Sequence, residues 1–116
     1  MKKTIFISGN FNILHPGHLR LLKFARELGN KLIVGVISDK LGGDLIHIPE
    51  KLRLEGISSN TWVTEALLVN EPIHSVIESL KPDIVVKGKE HEGNFNPELE
   101  AVESYGGKLI FSSGEV

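Results

Sequence analysis

Short apolar runs alternate along the chain with longer amphipathic stretches. Thr4-Ile5-Phe6-Ile7-Ser8 is a β-branched and aromatic run closed by Gly9, and residues 31–37 (KLIVGVI) form a second, ending in Ser38-Asp39. Runs that are apolar on both sides are what the central strands of a parallel sheet look like. Between them Leu19, Leu22, Ala25 and Leu28, with Leu21 and Phe24 beside them, recur at three- and four-residue spacing, while Arg20, Lys23 and Glu27 fall on the other side. This is an amphipathic helix, closed by Gly29-Asn30. Residues 40–48, with Gly42-Gly43, read as a loop, and residues 49–57 as a short helix opening on Pro49. A third strand lies within residues 62–69 (WVTEALLV), and a helix within 72–80, followed by the turn Lys81-Pro82-Asp83. Ile84-Val85-Val86-Lys87 is a fourth strand closed by Gly88. Residues 97–105 are helical, Gly106-Gly107 ends them, and residues 108–111 form a fifth strand.

Strands alternating with helices over short connections predict an α/β, Rossmann-like, doubly wound parallel sheet with helices on both faces. The expected strand order is 3-2-1-4-5, with the Gly9 turn at the centre of the sheet. Ligands of such sheets bind outside the carboxyl ends of the strands. Four segments leave the strands there: residues 9–18, residues 38–44, the stretch after Val69, and residues 88–96. Polar and charged side chains crowd the first, second and fourth.

Composition narrows the field. The 116 residues fit one domain, with no internal repeat, low-complexity segment or linker. Thirteen Lys plus Arg against fifteen Asp plus Glu give a net charge of −2, which is not the basic footprint of a nucleic-acid binder. The absence of cysteine excludes disulfide scaffolds, thiolate zinc sites and thiol nucleophiles. The longest apolar runs are roughly five residues, far short of the ~20 of a membrane span. The start, Met1-Lys2-Lys3, leads straight into a strand and does not read as a signal peptide. A soluble cytoplasmic protein is expected.

The most informative run is Ser8-Gly9-Asn10-Phe11-Asn12-Ile13-Leu14-His15-Pro16-Gly17-His18. Pro16 suits a first helical position, where its missing amide proton costs nothing. Gly17 lets a ligand lie against the backbone. A helix start offers amide protons and a positive dipole end. His15 and His18, three apart, share one helix face and point together at whatever anion lies there. A triphosphate fits, with imidazole donors where charge grows during attack at phosphorus. A zinc site does not, because no third histidine is near and the spacing is not that of H-E-x-x-H.

Residues 9–18 resemble the G-x-F-D-x-x-H-x-G-H signature of the cytidylyltransferase-like nucleotidyltransferases. The likeness continues through residues 21–29, through Ile37-Ser38-Asp39, and through Lys81-Pro82-Asp83-Ile84-Val85-Val86-Lys87-Gly88-Lys89. The last of these segments most resembles heptose-type enzymes, and His91-Glu92-Gly93-Asn94-Phe95 is similar to glycerol-type ones. The resemblance implies transfer of a nucleoside monophosphate, CMP or AMP, from an NTP to a phosphorylated sugar or polyol, with release of pyrophosphate. It implies that His15 and His18 are catalytic, and that Gly9, Asn10, Phe11, Gly17, Gly88 and His91 bind the nucleotide, the backbone of Asn10 and Phe11 cradling it. Lys87, ahead of Lys89, is a candidate for a phosphate, and Asp39 for substrate contact or loop shaping. Mg2+ would accompany the NTP through phosphate oxygens and water. No nucleic acid or membrane partner is implied, and a homodimer is expected. Trp62 and Tyr105 read as packing residues.

The chain departs from the family pattern in three places. Asn12 stands where the family has aspartate, so it is expected to support the loop in shape without the charge. The arginine early in the helix of residues 49–57 aligns with Glu50, with Arg53 one turn on as its substitute. The family's C-terminal I-S-S-T-x-x-[RK] segment finds only Ser112-Ser113, which reads as a domain cut short before that signature. A nucleotide-binding or regulatory domain of the same fold, impaired in catalysis, is therefore the alternative reading. A class I synthetase fragment, with a related H-x-G-H turn, is a third, disfavoured by the lack of a tRNA-binding extension or a basic surface.

Overall fold

The computed structural model describes residues 3–12, 14, 16–89 and 92–112. Five parallel strands run in the order expected: β3 (Glu65–Val69), β2 (Lys31–Ile37), β1 (Thr4–Gly9), β4 (Ile84–Gly88) and β5 (Lys108–Ser112). The register sets Ile7 against Val34 on one side and Val86 on the other. The central strand β1 is thus paired on both edges, and its β-branched and aromatic side chains are buried on both faces. Asp83 fastens the amino-terminal end of the sheet. Its carboxylate accepts the Thr4 N–H (2.8 Å), its own N–H donates to Thr4 O (2.9 Å), and its carbonyl accepts the Lys108 N–H (3.0 Å).

Period-two alternation along the strands divides the core in two. Ile5, Ile7, Val34, Val36 and Val86 face α1 (Pro16–Glu27) and α3 (Glu50–Ser58), packing with Leu22, Ala25 and Ile57. Phe6, Ile33, Val69 and Val85 face α4 (Ile73–Leu80) and α5 (Pro97–Glu103), packing with Val76, Ile77, Ala101 and Val102. Gly35 on β2 has no room for more: an added Cβ would lie 2.7 Å from Val69 Cγ2 and 2.9 Å from Phe6 Cζ. Helix ends follow local chemistry. Pro72 precedes α4, Lys81 closes it in the left-handed conformation with its N–H on Ile77 O, and Pro82 cannot extend it. Pro97 opens α5, and Gly106 (φ 91) turns the chain into β5.

One boundary differs from the sequence reading. Part of the expected loop 40–48 is ordered as a helix, α2 (Asp39–Gly42), and a 3-10 turn, Gly43–Leu45. Ser38 Oγ accepts the Leu41 N–H (3.1 Å), and Glu50 Oε1 accepts the Asp39 N–H (2.9 Å), so distant and local acceptors together support this short turn. Within residues 62–69 the third strand occupies Glu65–Val69, because Asn60 folds residues 60–63 into a turn. Its side chain accepts the Trp62 N–H (2.9 Å) and its carbonyl the Val63 N–H (3.2 Å). Trp62 packs on the α1–α3 core, and Tyr105 on the α4–α5 core with its hydroxyl donating to Pro82 O (2.7 Å). Burial pushes the Tyr105 hydroxyl up to about 12, with the Asp83 charge adding to it. Among the described residues no helix is long and apolar enough to cross a membrane.

Candidate functional site

The carboxyl ends of β1 and β2 are drawn together by one buried side chain. Arg53 is 3% exposed and sits on α3 one turn before the fully buried Ile57, on the face that packs against the sheet. Its Nε donates to Ile48 O (2.7 Å), Nη1 to Asn10 O (2.8 Å) and Ile37 O (2.6 Å), and Nη2 to Asp39 Oδ1 (2.8 Å). Asn10 follows the last residue of β1, Ile37 ends β2, Asp39 opens α2 and Ile48 leads into α3. A planar fork of fixed donors suits this convergence of carbonyls, which a lysine could not serve.

The turn after β1 is shaped by its own residues as well. Phe11 adopts φ 52, in the left-handed region that costs most residues strain, and its side chain is buried in the α1–α3 core. Gly9 makes this possible, since a Cβ there would stand 3.2 Å from the Phe11 ring. The Gly-x-Phe spacing is therefore a packing solution. The Phe11 ring meets the half-buried imidazole of His18 edge-on, with centroids 5.8 Å apart and planes at 70°. His18 stands in the first turn of α1, next to Gly17. His15 and His91 lie outside the described residues, as do Ser113–Val116.

Asn12 spans from this turn to the α2–α3 connection. Its Nδ2 donates to Leu45 O (2.8 Å), while its Oδ1 accepts the N–H groups of His47 (2.8 Å) and Ile48 (3.4 Å). An aspartate would supply the acceptor but not the donor. Asn12→Asp is expected to cost about 1–2 kcal/mol near neutral pH, because Leu45 O would then face an anionic oxygen. Urea denaturation at neutral and acidic pH checks this: protonation of the introduced carboxyl restores a donor, so the deficit should shrink as pH falls.

Asp39 belongs to the same network. The hydrogen bond from Arg53 holds its carboxyl below the usual carboxylate range, with desolvation opposing. A folded pKa below the unfolded 3.8 means that the contribution of ionised Asp39 is complete above that value and is lost as pH falls through the folded one. Asp39→Asn should therefore flatten the acid side of the stability curve below the unfolded carboxylate value of 3.8, read as thermal midpoint against pH.

Lys87 and Gly88 end β4, and the register of Ile7 against Val86 carries them to the level of Ser8 and Gly9. Alternation turns Lys87 to the α5 side, where its Nζ donates to Asn96 Oδ1 (2.6 Å) and Glu98 Oε1 (3.1 Å). The structure thus joins Asn10 and Asp39 through Arg53, ties Asn12 to the same Ile48 that Arg53 holds, and sets Gly9 and His18 against the Phe11 ring, with Lys87 across the sheet from them. Ser38 and Asn70, which sequence reasoning did not single out, couple the ends of β2 and β3 through Ser38 Oγ donating to Asn70 Oδ1 (2.8 Å). Among the described residues no group of three or more His, Asp or Glu is placed to hold a metal ion.

A sequence model of the family described as cytidylyltransferase-like matches residues 6–110, from β1 into β5. The chain belongs to that family. Relatives include the bifunctional protein HldE of Marinomonas sp. (strain MWYL1), 34% identical over 116 residues, and that of Hahella chejuensis (strain KCTC 2396), 36% identical over 116 residues. Each alignment covers 93% of this chain and 24% of the relative, so the chain spans about a quarter of the length of these relatives. Among solved structures, the lipopolysaccharide core biosynthesis protein from Thermoplasma volcanium GSS1 superposes with a TM-score of 0.85 at 27% identity, over 100% of both chains.

Proposed function

We propose that the chain is a nucleotidyltransferase that moves CMP or AMP from an NTP to the phosphate of a sugar or polyol and releases pyrophosphate. One observation carries the reading: the turn after the central strand is held rigid by Arg53 and Asn12 and delivers His18 in the first turn of α1. A phosphate oxygen of the acceptor is already an anion and needs no general base. What remains for the protein is to align it and to draw charge from the α-phosphate. His18, together with His15, donates to phosphate oxygens in this reading, while the backbone of Gly9, Asn10, Phe11 and Gly17 lines the nucleotide. Gly88 and His91 contribute to nucleotide binding in this reading, and Asp39 acts by shaping the pocket wall through Arg53.

Magnesium would accompany the nucleotide in this reading, held by phosphate oxygens and water, where it would neutralise triphosphate charge. The similarity to a lipopolysaccharide core biosynthesis protein supports a cell-envelope sugar phosphate as acceptor. A homodimer goes with the reading, supported by the exposed Leu45 and Leu52, and sedimentation as a monomer at tens of micromolar would remove it.

The test is a panel of ATP and CTP against sugar and polyol phosphates, read as pyrophosphate released and as product mass. Release that needs both an NTP and an acceptor supports a transferase. Nucleotide binding without release from any pair would instead identify a binding domain of the same fold.

A further inference from the structure

The segment after β4 carries an aromatic ring that the fold leaves in water. Phe95 is 77% exposed, the most exposed of the large apolar side chains among the described residues, in a chain that buries Phe6 completely and Phe11 almost so. Its backbone is not loose. The next residue, Asn96, receives the Lys87 ammonium at 2.6 Å, and Asn96 Nδ2 donates back to Asn94 O (2.9 Å). Glu98, one residue into α5, holds the same ammonium, and both side chains of that pair are largely buried. Glu92 N–H closes a turn on Lys89 O (3.0 Å). The ring is thus tethered to the carboxyl end of β4, next to the central strand, where ligands of doubly wound sheets bind.

The Lys87 pair adds little stability by itself. Among the described residues, Glu98 Oε2 is buried with no hydrogen-bond partner, a costly arrangement for a carboxylate. What the pair does is fix the two ends of the loop that presents Phe95.

We propose that the exposed ring of Phe95 is the platform on which the nucleobase of the bound nucleotide stacks, and that Lys87, Asn96 and Glu98 are positioning residues that hold it there. The proposal rests on the nucleotidyltransferase reading above and adds a base-binding residue to it. A flat aromatic face accepts any base, so both ATP and CTP gain from it, while inorganic pyrophosphate, which has no base, gains nothing.

Calorimetric titration of the whole chain with ATP, CTP and inorganic pyrophosphate tests this. Phe95→Ala should weaken both nucleotides at least about five-fold and leave pyrophosphate unchanged. Phe95→Trp should keep nucleotide affinity and change its fluorescence when nucleotide binds. Lys87→Met, which loosens the tether, should weaken the nucleotides and again spare pyrophosphate. The proposal is overturned if Phe95→Ala leaves ATP and CTP affinity as they were, or weakens pyrophosphate equally. It is also overturned if that variant changes sedimentation and not nucleotide affinity, which would assign the ring to a contact between copies. Failure of the underlying reading looks different: the unmodified chain would then bind neither ATP nor CTP.

Discussion

Arg53→Met is expected to remove about 3–5 kcal/mol of folding stability, the largest loss foreseen for any single substitution near the site. The guanidinium side chain is fully buried and satisfies three carbonyl oxygens and one carboxylate oxygen from four segments. Methionine fills much of the volume but leaves Asn10 O, Ile37 O and Ile48 O without this donor, each at a cost of about 1–3 kcal/mol unless water enters. Asp39 suffers less, because its side chain is 48% exposed and can be hydrated. Arg53→Lys should recover less than half of the loss, since an ammonium cannot present donors along the fork directions. Urea denaturation of the three proteins decides this. A loss below about 1 kcal/mol for Arg53→Met would mean that the carbonyls find other donors and that the convergence at Arg53 is incidental.

On the proposed reaction, His18→Ala is expected to have its main effect on chemistry. Removing one preorganised donor to a developing charge typically costs about 3–4 kcal/mol, roughly 10²–10³ in rate. Its stability cost is smaller but not zero, because the imidazole packs edge-on against Phe11, a contact of about 0.5–1.5 kcal/mol. The expected signature is a modest fall in thermal midpoint together with a collapse of pyrophosphate release. The reverse pattern, marked unfolding with turnover intact in the folded fraction, would make His18 a packing residue. His47 is the internal control: its backbone N–H serves Asn12, its side chain is exposed, and His47→Ala should change neither quantity appreciably.

The strand order was legible because each strand announces itself by composition and each connection is short. The period-two division of the core followed directly, with Ile5 and Ile7 on one face and Phe6 on the other. Long-range hydrogen bonds were not legible. Nothing local shows that Glu50, eleven residues away, supports the Asp39 N–H and so turns an expected loop into helix. Asn12 shows the same limit. The sequence displays a lost charge relative to the family signature, but the gain, a donor for Leu45 O, lies thirty-three residues away.

Arg53 entered the sequence reading only as the substitute for the family arginine, and its burial was legible as well. It stands four residues before Ile57, which puts it on the buried face of a helix that presents its other charged residues to solvent. An arginine on such a face must find buried acceptors, and strand ends supply carbonyls. The expectation for Lys87 was made from its place at a strand end, without regard to pleat. Alternation from Val86 sends its side chain to the α5 side, where Asn96 and Glu98 meet it.

The proposed reaction requires the phosphates of a nucleotide to lie at the turn after the central strand, against His18. Histidine ring resonances, followed by NMR while ATP or CTP is added with magnesium, report on that contact. The His18 resonances are expected to shift in a saturable way with nucleotide, while those of the surface residues His47 and His74 stay in place. Saturating nucleotide that leaves His18 unmoved would contradict it.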